Sequence, residues 1–307
     1  MDTRTLFLIS VVAAVGLAGC TALPGQGGGD DEADTRFRIT QNDGLTVSFS
    51  TTQSRYFEDG EIVLDLELQN TGQSTAENVQ ARLFGASFLA GNTVSLTQST
   101  LEGVDQAAQQ AGQIATGTYQ QSNPVNLRQG EVRSFPVGVR VMYDYTTSSS
   151  ASFRVLPRED FTGGSELVTT ENTAAPVKAD IQVQSPKPVS SAGNGTVTVS
   201  VPIQVRNVGG GQVVQNIQGE RGPVQLTASF PLAGGGTASI TDCGGSGSNT
   251  KSFRFPRGQT ERRVVCTAEI SSNVFDTQLS LEVDLDYTYF ETPETTFRIE
   301  GMSGDQT

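Results

Sequence analysis

Cys20, Cys243 and Cys266 are the only thiols in this 307-residue chain, and there is no histidine to work with them. Without imidazole there is no Ser–His or Cys–His couple, no His-ligated zinc and no acid–base group that titrates unshifted near neutrality. Catalysis would fall to the 33 Asp and Glu residues, to hydroxyls, or to Lys178, Lys187 and Lys251. Two carboxylates about 5–10 Å apart across a groove could hydrolyse a glycoside, but no pattern in the sequence marks such a pair. Phosphate-binding loops, dinucleotide fingerprints, Gly-x-Ser-x-Gly elbows and metal-thiolate spacings are all missing. The runs Gly209–Gly211 and Gly234–Gly236 follow strand-like stretches and lead into more strand, so they read as turns. The chain reads as a binding protein and not an enzyme, without cofactor or metal.

Cys20 has a specific setting. An apolar run from Leu6 to Leu17 follows Met1-Asp2-Thr3-Arg4 and closes on Leu17-Ala18-Gly19-Cys20. A helix of about 12 residues rises about 18 Å, short of the roughly 30 Å hydrocarbon core, so the run fits a signal peptide better than a membrane span. Arg4 stands alone, without the twin-arginine signature. The motif resembles the lipobox of bacterial and archaeal lipoproteins. The resemblance implies cleavage between Gly19 and Cys20, lipid on the Cys20 sulfur, and a place on the extracellular face of the cell membrane. Residues 1–19 are then the signal peptide, and 20–35, rich in Gly, Asp and Glu, are a disordered tether. Asp30, Asp31, Glu32 and Asp34 lack the ligand spacing of a calcium loop.

The elements beyond the tether come in two copies. Ile62–Gly72 and Val199–Gly209 both alternate apolar and polar residues and both break at Asn-x-Gly, at Asn70 and Asn207. Period-two alternation marks a strand with one buried face, and Asn-x-Gly marks a turn. Tyr143 to Phe153 and Tyr287 to Phe297 repeat the same ten-residue spacing, and each reads as a closing hairpin. Short alternating runs separated by turn residues predict an all-β fold of two tandem immunoglobulin-like Greek-key sandwiches, at 36–160 and 178–301. A linker at 161–177 joins them, polar and mobile, and 302–307 form a tail.

The alternating strand, the Asn-x-Gly break, a second strand near Asn78-Val79 or Asn216-Ile217, and a Gly-bearing turn before the late strands together resemble the CARDB-type domains of archaeal and bacterial surface proteins. That resemblance implies adhesion modules, spacers and interaction scaffolds, with no catalytic residues to carry over. One stretch departs from it. Leu101, Val104, Ala108 and Ala111 have helical spacing behind Ser99-Thr100, predicting a short helix in a long loop. Leu101, Val104, Asp105 and Gln109 are the candidate contact residues there.

Export places Cys243 and Cys266 in an oxidising compartment, where a disulfide is expected, with buried free thiols as the alternative. Asn194-Gly195-Thr196 is a glycosylation sequon. A net charge of −13 speaks against nucleic acid. Only three lysines among 20 basic residues, on so acidic a chain, suggest a halophilic archaeon. The sum is a lipid-anchored structural or adhesion-like protein whose partners are the membrane, through Cys20, and another envelope protein or a polysaccharide. A solute- or glycan-binding surface lipoprotein is the alternative, and a carboxylate-based glycosidase a more distant one.

Overall fold

The structure, a computed structural model, describes residues 37–38, 44–89, 91–190, 195–231, 238–271 and 276–302. They form an all-β sandwich body, and among them there is no α-helix. The longer strands of the first half are β1 (Leu45–Thr51), β2 (Glu61–Asn70), β3 (Glu77–Gly85), β4 (Ile114–Ser122) and β5 (Val132–Pro157). Those of the second are β6 (Val177–Ile181), β7 (Thr196–Asn207), β8 (Val224–Ser229), β9 (Ala238–Cys243), β10 (Glu261–Ser271), β11 (Thr277–Glu291) and β12 (Glu294–Glu300).

Alternation decides which side is core. In β2, Ile62, Leu64, Leu66 and Leu68 are buried, and in β7 Val197, Val199, Val201, Ile203 and Val205 are. Each half has an outer sheet of its own, Phe37–Arg38, β1, β2 and β4 in one and β6, β7, β10 and β9 in the other. The inner sheet is common to both. Its path runs from Thr250–Phe253 through β8, β11, β5 and β12 to Arg55–Phe57, with β3 beside β5.

The hairpin expected between Tyr143 and Phe153 is not there. Strand β5 runs straight through the Ser/Thr-rich stretch for 26 residues. Thr147 and Ser149 turn inward, where Thr147 Oγ1 donates to the Val177 carbonyl (2.6 Å) and Ser149 Oγ to Asn172 Oδ1 (2.8 Å). Thr146 and Ser148 turn outward and donate to Asp286 (2.8 Å) and Asp284 (2.7 Å) across the sheet. These four hydroxyls all have partners in the extended form, so a polar run that resembles a turn holds a strand.

Strands β11 and β12 lie on one line. Glu291 pairs with Val141 and Glu294 with Gly138, so the register survives the break at Thr292-Pro293. Residues 277–300 therefore pair antiparallel with β5 from end to end, apart from that break. The outcome is a strand exchange. The later part of β5 lies in the second half beside β11, and β12 lies in the first half between β5 and Arg55–Phe57. A shift of 144 positions carries Tyr143, Tyr145 and Phe153 onto Tyr287, Tyr289 and Phe297. The same shift carries Asp144 onto Thr288, its own cross-strand partner, so an approximate two-fold axis passes between them.

Residues 161–177, expected as a mobile linker, are built into the body instead. Glu166–Leu167 pairs with Gln184–Ser185, and Glu171–Asn172 with β5. Farther on, the Gln73 amide donates to the Ala174 carbonyl (3.1 Å), which ties the segment back to the first half. Cys243 and Cys266 face each other on β9 and β10 as a buried disulfide. The free-thiol alternative falls.

The expected helix at 101–111 is a chain of turns. Leu101 bridges to Ala76 and Asp105 to Gln110. The Asp105 carboxylate takes the amides of Ala107 (2.9 Å) and Ala108 (3.0 Å), and Gln109 then turns to φ 54°, which no right-handed helix tolerates.

Candidate binding surface

The two-fold axis organises an inner and an outer layer of side chains. Inside, Tyr143, Tyr145, Tyr287 and Tyr289 pack against one another, edge to face in three pairs and tilted in the fourth, with centroids 5.7 to 6.4 Å apart. Tyr145 donates to Asn70 Oδ1 (3.3 Å), and Tyr289 to Asn207 Oδ1 (2.9 Å). The same Oδ1 atoms accept the amides of Gly72 (3.1 Å) and Gly209 (3.2 Å). Meanwhile Asn70 Nδ2 donates to the Ser74 carbonyl (2.8 Å) and Asn207 Nδ2 to that of Gly211 (2.9 Å). A Cβ at Gly72 or Gly209 would collide with the tyrosine hydroxyl, so the glycine of Asn-x-Gly is there for closeness of approach. Asn70 and Asn207 are thus turn residues, locked to the shared sheet by tyrosine. Tyr143 and Tyr287 do the same for the outer sheets, accepting the amides of Leu45 (3.3 Å) and Val177 (3.4 Å). Burial raises the pKa of Tyr143, Tyr287 and Tyr289, so these hydroxyls stay protonated.

Symmetry first fails at the next inward pair. Thr147 stands where the 144-residue shift places Glu291. Thr147 is satisfied by Val177 and by Tyr287 (2.9 Å), whereas Glu291 receives one 3.3 Å bond from Tyr143 and its Oε2 is buried without a partner. Burial pushes the Glu291 carboxyl up to about 7, with the Tyr143 hydrogen bond opposing. Neither composition nor spacing distinguishes this residue from the other glutamates. The sequence signal would have been the internal alignment, which sets a carboxyl opposite a hydroxyl.

Outside, the same strands present an open groove of about 610 Å³. Glu77, Asp144, Asp286, Gln215 and Gln225 line it, together with Thr288 on the axis, and no Lys or Arg does. Its carboxylates are positioned by neighbours. Asp144 accepts Thr288 Oγ1 (2.5 Å) and Asn78 Nδ2 (2.8 Å), and Asp286 accepts Thr146. A wall of carboxylates, amides and hydroxyls can accept hydrogen bonds from the hydroxyls or ammonium groups of a ligand. Among the described residues no group of three His, Cys, Asp or Glu could hold a metal ion.

The residues singled out in the sequence fall elsewhere. Gly19, Cys20 and Asn194 lie outside the described residues. Leu101, expected as a contact residue, is fully buried, with its carbonyl accepting Asn70 Nδ2 (2.8 Å). Val104 is half-buried and its amide is held by the Gly72 carbonyl (2.7 Å), which leaves Asp105 and Gln109 exposed. The groove does not include this loop.

Fold and surface together define an all-β sandwich body with a shared central sheet. No family model matches the chain, and no curated protein matches it. Among solved structures, the collagen binding domain of surface protein RspB from Erysipelothrix rhusiopathiae aligns over 83% of this chain and 86% of that one, with 8% identity and a TM-score of 0.12. A likeness that low carries no weight for fold or function.

Proposed function

We propose that this chain is a lipid-anchored protein of the extracellular face of the cell membrane, acting by binding as a structural or adhesion-like partner of another envelope protein or a polysaccharide. The observation that carries the reading is Leu17-Ala18-Gly19-Cys20 at the end of an apolar run too short to span a bilayer. A buried disulfide supports an oxidising compartment. The acidic, lysine-poor composition suits a salt-rich one, and the resemblance to CARDB-type modules suits display and adhesion. A solute- or glycan-binding surface lipoprotein is the second reading, favoured by the polar groove on the axis. Replacing Cys20 by Ser removes the sulfur that lipid needs, so the variant protein is expected in the medium or as an unprocessed precursor. Normal processing with full membrane retention would sink the anchor.

A further inference from the structure

Among the described residues, seven large apolar side chains are exposed, and three of them lie at one end of the body. Glu300 pairs with Phe57 on one side and Val132 on the other, so these two flank it on adjacent strands. Met302 follows two residues later, where Gly301 still bonds to Gly130 and Glu131. Phe57 and Val132 are each 49% exposed and Met302 is 43% exposed. Two of the nearby carboxylates have an arginine partner: Arg55 holds Glu300 at 3.0 Å and Arg133 holds Glu131 at 2.6 Å. Glu58, Asp59 and Glu61 follow Phe57 on its turn, so the patch has an acidic side as well.

The direction of the chain says what covers it. Phe37 pairs with Phe49 and Arg38 with Ser48, so the backbone enters the outer sheet from the Thr51 end of β1. That end lies away from the two-fold axis, because Leu45 at the opposite end of β1 bonds Tyr143. Phe57 belongs to the same end, since Tyr56 bonds the Val63 carbonyl, and Thr51 pairs with Leu64. Val132 opens β5 twelve positions before Asp144 on the axis. Sixteen residues separate Cys20 from Phe37, so that stretch reaches about 60 Å at most, whatever its conformation. The point at which the chain enters the body is therefore the one a lipid on Cys20 would tie to a bilayer.

We propose that the Phe57–Val132–Met302 end rests on the lipid surface, with the groove and the second half held outward. This deepens the lipid-anchor reading and rests on it. Aromatic and apolar side chains with Arg55 and Arg133 beside them suit the headgroup boundary. The chain contains no tryptophan, so a single introduced indole reports its own surroundings. The test uses full-length protein bearing its anchor, reconstituted into phosphatidylcholine–phosphatidylglycerol vesicles with acyl chains brominated near the headgroup. Phe57→Trp is expected to shift its emission to shorter wavelength and lose intensity to bromine. Leu167→Trp, the control at the most exposed apolar position of the 161–177 segment, keeps its intensity. A Phe57→Trp protein that sediments with the vesicles yet is unquenched overturns the docking and leaves the anchor standing. A protein that does not sediment with them overturns the anchor and the docking together. Emission that shifts with protein concentration when no vesicles are present assigns the patch to a second copy of the chain, and the lipid proposal falls.

Discussion

Replacing Glu291 by Gln should flatten the pH dependence of stability between about pH 4.5 and 7 and make the protein more stable than the parent above that window. The carboxyl is nine-tenths buried, receives one hydrogen bond, and titrates near 7 instead of 4.5. Its folded pKa lies above the unfolded one, so the unfolded chain gives up its proton first. The penalty is absent below about pH 4.5, grows by about 1.4 kcal/mol per pH unit, and levels off above pH 7 at about 3 kcal/mol. Gln keeps the volume and removes the charge. Denaturant titrations of parent and variant at both ends of the window give the difference directly, and parallel curves would show that Glu291 titrates like an exposed carboxylate. Glu291→Thr copies the equivalent position and should gain in the same direction, less the cost of the cavity it leaves.

The second large effect concerns the exchanged strand. Phe297→Ala should cost about 3–5 kcal/mol, as for other fully buried aromatic side chains. Where the damage appears distinguishes the architecture. Phe297 belongs to the second repeat by sequence, yet its ring meets Tyr56 at 5.5 Å and Phe135 at 5.9 Å, both in the first half. Native-state hydrogen exchange should therefore lose protection in β1, β2 and the start of β5. Phe153→Ala is the mirror experiment, because Phe153 packs against Phe230 in the second half (6.3 Å). Its losses should fall on β7, β8 and β10. Loss of protection confined in each case to the repeat that carries the substitution would contradict the exchange.

Much of this fold is written in the residues, because alternation is set by the near neighbour across the sheet. Leu64, Leu66 and Leu68 face the core whichever strand lies beside them, so β2 and its copy β7 are legible from period alone. Asn70 and Asn207 are legible as turns, although their tyrosine locks are not, since Tyr145 is 75 residues away from Asn70. Partner choice leaves no local mark. Nothing in Glu294–Glu300 shows that it pairs with the first half, and a Ser/Thr run with hydroxyls on both faces hides the alternation of β5. The 101–111 stretch misleads for a related reason. Its apolar spacing is helical, but Leu101 is spent on the bridge to Ala76, Asp105 bridges to Gln110, and Gln109 between them takes φ 54°. The groove is invisible in the sequence because Glu77, Asp144, Gln225 and Asp286 come together only through the shared sheet.

Everything proposed about location depends on Cys20, and the mature chain itself carries the answer. The measurement is the intact mass of protein extracted from cell membranes, with fragmentation of its first residues. The account predicts a chain that begins at Cys20 and is heavier than the polypeptide by a lipid carried on the Cys20 sulfur. A membrane-extracted chain that begins at any other residue, or that begins at Cys20 with a free thiol, would contradict it.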